Sequence, residues 1–77
     1  MFLKLNELET GRIVRVNVSK VLFYKTIRVR SRNESSVNEE QVEATGIRFE
    51  NEPVLLVVKE SVDEIDVLLK ESYHYIK

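Results

Sequence analysis

The tetrapeptide Ser61-Val62-Asp63-Glu64 has the spacing of a capping box, and apolar residues at helical intervals follow it at once. In such a box the Ser hydroxyl and the Glu carboxylate satisfy first-turn amides that have no partner inside the helix. The spacing predicts a helix beginning at Val62. Val62, Ile65, Leu68, Leu69, Ser72, Tyr75 and Ile76 fall on one side of a 3.6-residue wheel, and Asp63, Asp66, Lys70 and His74 lie toward the other. Asp63, Glu64 and Asp66 complement the positive end of the helix dipole, and Asp66 with Lys70 makes an i,i+4 pair. A stripe of this kind must be covered, so the rest of the chain has to supply a surface for it.

That surface reads as a sheet. Phe2-Leu3-Lys4-Leu5-Asn6 alternates apolar and polar, Thr10-Gly11 marks a turn, and Arg12 to Val18 is a second strand with Val14, Val16 and Val18 on its buried side. Val21 to Arg32 is a long strand or two short ones around a bend. Its second half sends Ile27 and Val29 inward and Thr26, Arg28, Arg30 and Arg32 outward. Residues 33–45 are polar and acidic with two isolated valines, the composition of a solvated loop. A short helix there, capped by Ser36-Val37-Asn38-Glu39, is the alternative. Ile47-Arg48-Phe49, a turn at Glu50-Asn51-Glu52-Pro53 and a strand from Val54 to Lys59 form a final hairpin. Five consecutive apolar residues suggest that its last strand is covered on both faces and lies centrally. The expected fold is a single α+β domain over residues 1–77: a small curled antiparallel sheet of about five strands, packed by one C-terminal helix, with an acidic loop at 33–45.

With 77 residues, such a chain hides only about 60% of the surface its unfolded form exposes. Domains this small often add disulfides, metals or subunit contacts, but this one has no Cys and one His. Thiol chemistry, disulfides and zinc knuckles are excluded by counting. No metal or cofactor is expected, and a homo-oligomer is. His74 projects from the polar face of the helix, where a catalytic imidazole would lack a nucleophile and an orienting carboxylate. Gly11 and Gly46 stand too far apart for a phosphate loop. The longest fully apolar run, Val54 to Val58, is far short of a membrane span or a leader core, so a cytoplasmic, non-enzymatic protein is expected.

Charge divides the chain. Residues 1–32 carry eight basic and two acidic side chains, whereas 33–77 carry four basic and eleven acidic ones. On the strand reading, Arg28, Arg30 and Arg32 form a row with about 6–7 Å between neighbours, a spacing that can meet successive phosphates. Tyr24 continues the same parity and is the one aromatic near it. Pairing with the acidic loop at 34–43 or with the acidic first helical turn, within or between subunits, accounts for the row without any outside ligand. Val67 is an aliphatic residue on the polar side of the helix between Asp63 and Lys70 and is a candidate for an assembly surface beside Tyr73 or a neighbouring subunit. The candidate interaction surface is therefore Arg28, Arg30, Arg32, Tyr24 and Val67.

A start of the form Phe-Leu-Lys-Leu, a Gly-containing turn, Asn17 followed by Val21, and the ending Val57-Val58-Lys59-Glu60-Ser61-Val62-Asp63-Glu64-Ile65 give the chain a recognisable outline. It resembles small flagellar and swarming-motility proteins of the FlbD/SwrD type and short bacterial and phage proteins of similar outline. Those proteins pass quickly into the last hairpin and turn there with Asn-Gly, whereas this chain carries the stretch 33–45 and turns with Glu-Asn-Glu-Pro. The resemblance implies an accessory protein that self-associates and acts by contact with an unidentified protein partner, and it brings no catalytic residues. The alternative is a nucleic-acid-binding module that uses the basic sheet face.

Overall fold

The structure, a computed structural model, describes residues 1–30 and 41–75, with side chains to position 72. The described elements are β1 (Phe2–Asn6), β2 (Ile13–Asn17), a 3₁₀ turn (Val18–Lys20), β3 (Val21–Arg30), β4 (Gln41–Phe49), β5 (Leu56–Val58) and α1 (Val62–Tyr75). Among the described residues, five strands in two antiparallel sheets and one C-terminal helix make an α+β arrangement with no closed barrel.

β1 and β2 form a hairpin in which Leu3 faces Val16 and Leu5 faces Val14. Its loop is closed by bonds from Glu7 N to the Arg12 carbonyl and from Gly11 N to the Glu7 carbonyl, both 2.9 Å. Gly11 sits there at φ +70, a conformation that costs glycine nothing. Asn17 ends the hairpin: its Oδ1 accepts from Ser19 N at 3.1 Å and from Ser19 Oγ at 2.8 Å, so the backbone tightens into the 3₁₀ turn that hands the chain to the second sheet.

The second sheet runs β3-β4-β5. Its first hairpin is longer than the sequence suggests, because β4 starts at Gln41 and pairs with β3 as far as Arg30↔Gln41. Residues 41–45, expected in the acidic loop, are thus strand. The helix alternative capped at Ser36 and the end of the row at Arg32 lie outside the described residues. The last strand is shorter than expected: Pro53 offers no amide, Asn51 turns the chain at φ 64, Val54 is 72% exposed, and pairing begins only at Ile47↔Leu56. β5 is also an edge of its sheet and not its centre, although its outer side is seamed to the first hairpin. Leu8 N donates to the Val57 carbonyl at 3.0 Å, Lys59 N donates to the Asn6 carbonyl at 2.8 Å, and Glu7 bridges Val58.

The core lies where this seam curls. Leu3, Leu5, Val16, Ile47, Val58 and Ile65 are buried together, with Val14, Val18, Val21, Tyr24, Phe49, Leu56, Leu68 and Leu69 around them. Helix α1 presents the expected stripe: Ile65 is buried, while Val62, Leu68, Leu69 and Ser72 are half-buried. Ser61 Oγ accepts from Glu64 N at 3.1 Å, the capping half of the box. Full burial of a side chain such as Ile65 is worth about 1.5–3 kcal/mol, so the stripe docks the helix.

Candidate interaction surface

Beyond an irregularity that leaves Leu22 unpaired, ladder register assigns the residues of β3 from Phe23 to Arg30 and their β4 partners to sides of the sheet. Tyr24↔Ile47, Thr26↔Thr45, Arg28↔Glu43 and Arg30↔Gln41 are successive same-face pairs, and Ile47 belongs to the buried core. The arginines therefore continue the core side of the sheet and do not occupy its outer face, the reverse of the alternation expected from Ile27 and Val29. They remain exposed because β5 pairs with β4 only from Thr45 to Ile47, and the two longer strands run on beyond it as a two-stranded arm. The molecule measures 51 × 26 × 19 Å, as elongated as such a projection requires.

The opposite side of the sheet carries Phe23, Lys25, Ile27 and Val29 on β3 and Val42, Ala44, Gly46 and Arg48 on β4. None of these residues belongs to the core cluster that the helix and the first hairpin share. Phe23 is 43% and Val42 38% exposed, whereas Ala44 is hidden between its neighbours. A Cβ at Gly46 would stand 3.3 Å from Ile27 Cδ1 and 3.3 Å from Leu55 Cδ1, so the glycine lets those two side chains close over β4. Lys25 Nζ lies 5.8 Å from the Phe23 ring centroid.

Of the residues singled out from the sequence, Arg28 stands opposite Glu43, with Nη2 to Oε1 at 4.0 Å and both side chains 70% exposed. So open a pair adds little to stability. Arg30 is exposed one pair further along the arm. Tyr24 does not join them as an aromatic platform. Its hydroxyl donates to Asp66 Oδ1 on α1, which clips β3 to the helix. That bond favours the protonated phenol and, with partial burial and the Asp66 charge, raises the Tyr24 pKa above its ordinary value of 10.0. Asp66 is thereby engaged by Tyr24 and not by Lys70, its expected i,i+4 partner. Val67 is 53% exposed, as its place on the wheel predicts, and borders a shallow depression with Lys4, Glu60, Asp63 and Glu71. The Tyr73 and His74 side chains lie outside the described residues.

Two further features have no local signature in the sequence. Glu60 accepts from Asn6 N at 2.9 and 3.1 Å and from Asn6 Nδ2 at 2.8 Å, while its own carbonyl accepts from the fully buried Thr45 hydroxyl at 2.7 Å. One residue thus ties β1, β4 and the helix entry together. An open groove of about 690 Å³ runs between the first hairpin and the segment 49–57. Glu7, Glu9, Glu50 and Glu52 line it against Arg15 and Lys20, with Phe49, Val54 and Leu55 as apolar floor. Among the described residues no group of three or more His, Cys, Asp or Glu is placed to hold a metal ion, and no helix is long and apolar enough to cross a membrane. No protein-family model, curated protein or solved structure matches the chain.

Proposed function

We propose that the chain is a small cytoplasmic accessory protein, without catalytic activity, that self-associates and acts by contact with other proteins. The carrying observation is the open side of β3. Among the described residues the ten-residue β3 forms the edge of its sheet and bears, on the side away from the core cluster, exposed Phe23 with half-buried Ile27 and Val29, beside exposed Val42. Unpaired strand edges and contiguous exposed apolar area are the two surface features that most favour association. The small core points the same way, since a chain of this size gains stability from subunit contacts. The resemblance to FlbD/SwrD-type proteins supports motility as the first process in which to seek the partner.

Sedimentation equilibrium over a wide concentration range tests this reading. It predicts a mass that rises above 9.0 kDa with concentration and falls back when Phe23 and Val29 are replaced by Ser. A 9.0 kDa species at every concentration would contradict it.

A second reading, nucleic-acid binding, draws support from a different cluster than the arginine row. Exposed Phe23 has Lys25 beside it and Arg48 opposite, an aromatic flanked by cations of the kind that single strands stack on. It predicts binding to random single strands that weakens steeply with salt, with a slope that Lys25→Ala flattens. Binding that is absent, or insensitive to salt, rejects it.

A further inference from the structure

Burial changes abruptly from β4 to β3. At four successive rungs, Tyr24↔Ile47, Lys25↔Gly46, Thr26↔Thr45 and Ile27↔Ala44, the β4 residue is buried while its β3 partner is half-buried or exposed. From Thr45 to Ile47, β4 has a strand on each side, and among the described residues β3 has one on a single side only. Sheet edges are normally guarded by proline, a bulge or charge. Between Phe23 and Val29 there is no proline, and the irregularity in the ladder stops at Phe23, so Lys25 and Arg28 are the guards of this edge.

We infer that the β3 edge takes the same edge of a second copy, antiparallel about a two-fold axis at Thr26, so that two three-stranded sheets become one of six strands. The inference rests on the self-association proposed above and gives it a surface and a register. Opposed residues in an antiparallel ladder share a face, so the axis must pass through a residue. An axis at Lys25 or at Arg28 sets that cation against its own copy, and one at Val29 sets Arg28 against Arg30. An axis at Tyr24 runs the ladder into the irregularity at Leu22, and one at Ile27 leaves Phe23 opposite position 31, past the end of β3. At Thr26 the edges fit: Thr26 meets Thr26, Lys25 meets Ile27, Tyr24 meets Arg28 and Phe23 meets Val29, with no like charges opposed. Threonine pairs and pairs of an aromatic with a β-branched residue are favourable cross-strand neighbours.

Charge supports the same register. Arg28 of one copy comes beside Tyr24 of the other, whose hydroxyl bonds Asp66 on α1, so a cation 70% exposed beside its own Glu43 gains a second carboxylate. Residues 25–43 hold four basic and four acidic side chains, so the two copies meet without net repulsion. On the other face Phe23, Ile27, Val29 and Val42 of both copies join into one apolar surface. The contact is its own complement, and assembly therefore stops at the dimer.

The experiment places single cysteines in the full chain, which has none of its own. Opposed Cα atoms in such a ladder lie about 4.5–5.5 Å apart, within reach of a disulfide. Thr26→Cys should therefore link to itself. Phe23→Cys and Val29→Cys each stand about 20 Å from their own copies across the axis and should link only when the two variants are mixed. Rungs alternate in spacing, and the two tests fall on rungs of opposite kind, so one of them has the closer geometry whichever way the amides point. Glu52→Cys, exposed in the turn before β5, is the collision control. Circular dichroism verifies that each variant is folded. With diamide taking up the two electrons and two protons of each disulfide, Thr26→Cys, the mixture or both should close about tenfold or more faster than the control. Sedimentation of the parent chain should reach twice 9.0 kDa and no more. A parent chain that associates while every thiol closes at the control rate, that grows past the dimer, or whose Phe23→Cys or Val29→Cys variant links to itself as fast as the mixture, would overturn the β3 pairing and leave self-association standing. A parent chain that stays monomeric at every concentration would overturn both.

Discussion

Val16 and Val42 are the same β-branched residue in antiparallel strands of one small protein, yet the first is 4% exposed and the second 38%. Val16 lies in the hairpin that curls over Ile47, Val58 and Ile65, with layers on both sides of the contact. Val42 lies on the arm, where β3 and β4 keep their backbone ladder but none of the described side chains from Arg28 to Arg30 or from Gln41 to Glu43 is buried. Backbone pairing therefore extends further along this chain than its core does. The body is held by packing and by the Asn6–Glu60–Thr45 node, whereas the arm is held by its ladder and by whatever comes to lie against it.

The largest expected effect is in the body. Ile65→Ala should cost about 2–5 kcal/mol in denaturant unfolding, because the cavity would open between helix and sheet. Val42→Ala on the arm should cost under about 1 kcal/mol. Equal losses at the two sites would erase the distinction between the regions.

Glu60→Ala should follow, at about 1–3 kcal/mol, since it leaves the Asn6 amide and carboxamide without their acceptor. A shift in midpoint within error would show that water replaces the carboxylate without loss.

Loss of the helix clip in Tyr24→Phe should cost about 1 kcal/mol and carries a pH signature. The folded pKa lies above 10.0, so the folded state holds the phenolic proton more tightly than the unfolded chain does. The contribution is fully present below pH 10 and is lost as pH rises through the folded value. The stability gap between parent and variant should therefore be flat at neutral pH and close in alkali. A gap that widens in alkali would mean that the hydroxyl has another partner. Smaller again, Arg28→Ala should change stability by less than about 0.5 kcal/mol while altering association. A large loss of stability would place that residue in the body.

Local physics made the body legible in the sequence. The capping box and the stripe from Val62 to Ser72 announce a helix and its buried side, and Leu3, Leu5, Val14 and Val16 announce a hairpin with one covered face. The arm was harder to see. Gln41-Val42-Glu43-Ala44-Thr45 contains residues that strands usually avoid, because Gln41 and Glu43 stand in water beyond the end of the core. Its strand character comes from register with β3, where Arg28 meets Glu43 and Arg30 meets Gln41, and such pairing between separate segments has no local signature. The same limit hid the polar links. Glu60 reaches Asn6 across 54 positions, and Tyr24 reaches Asp66 across 42. Parity alone therefore put Tyr24 beside the arginines, when the helix had already engaged it. The groove, too, exists only once Glu7 and Glu9 are folded next to Glu50 and Glu52.

Amide hydrogen exchange along β4 at low protein concentration tests the division most directly, because one strand passes through both regions. Amides from Thr45 to Ile47, flanked on both sides by β3 and β5, should exchange only through global unfolding. Those from Gln41 to Glu43, in the arm, should exchange orders of magnitude faster through local opening. Uniform protection from one end of the strand to the other would contradict the account.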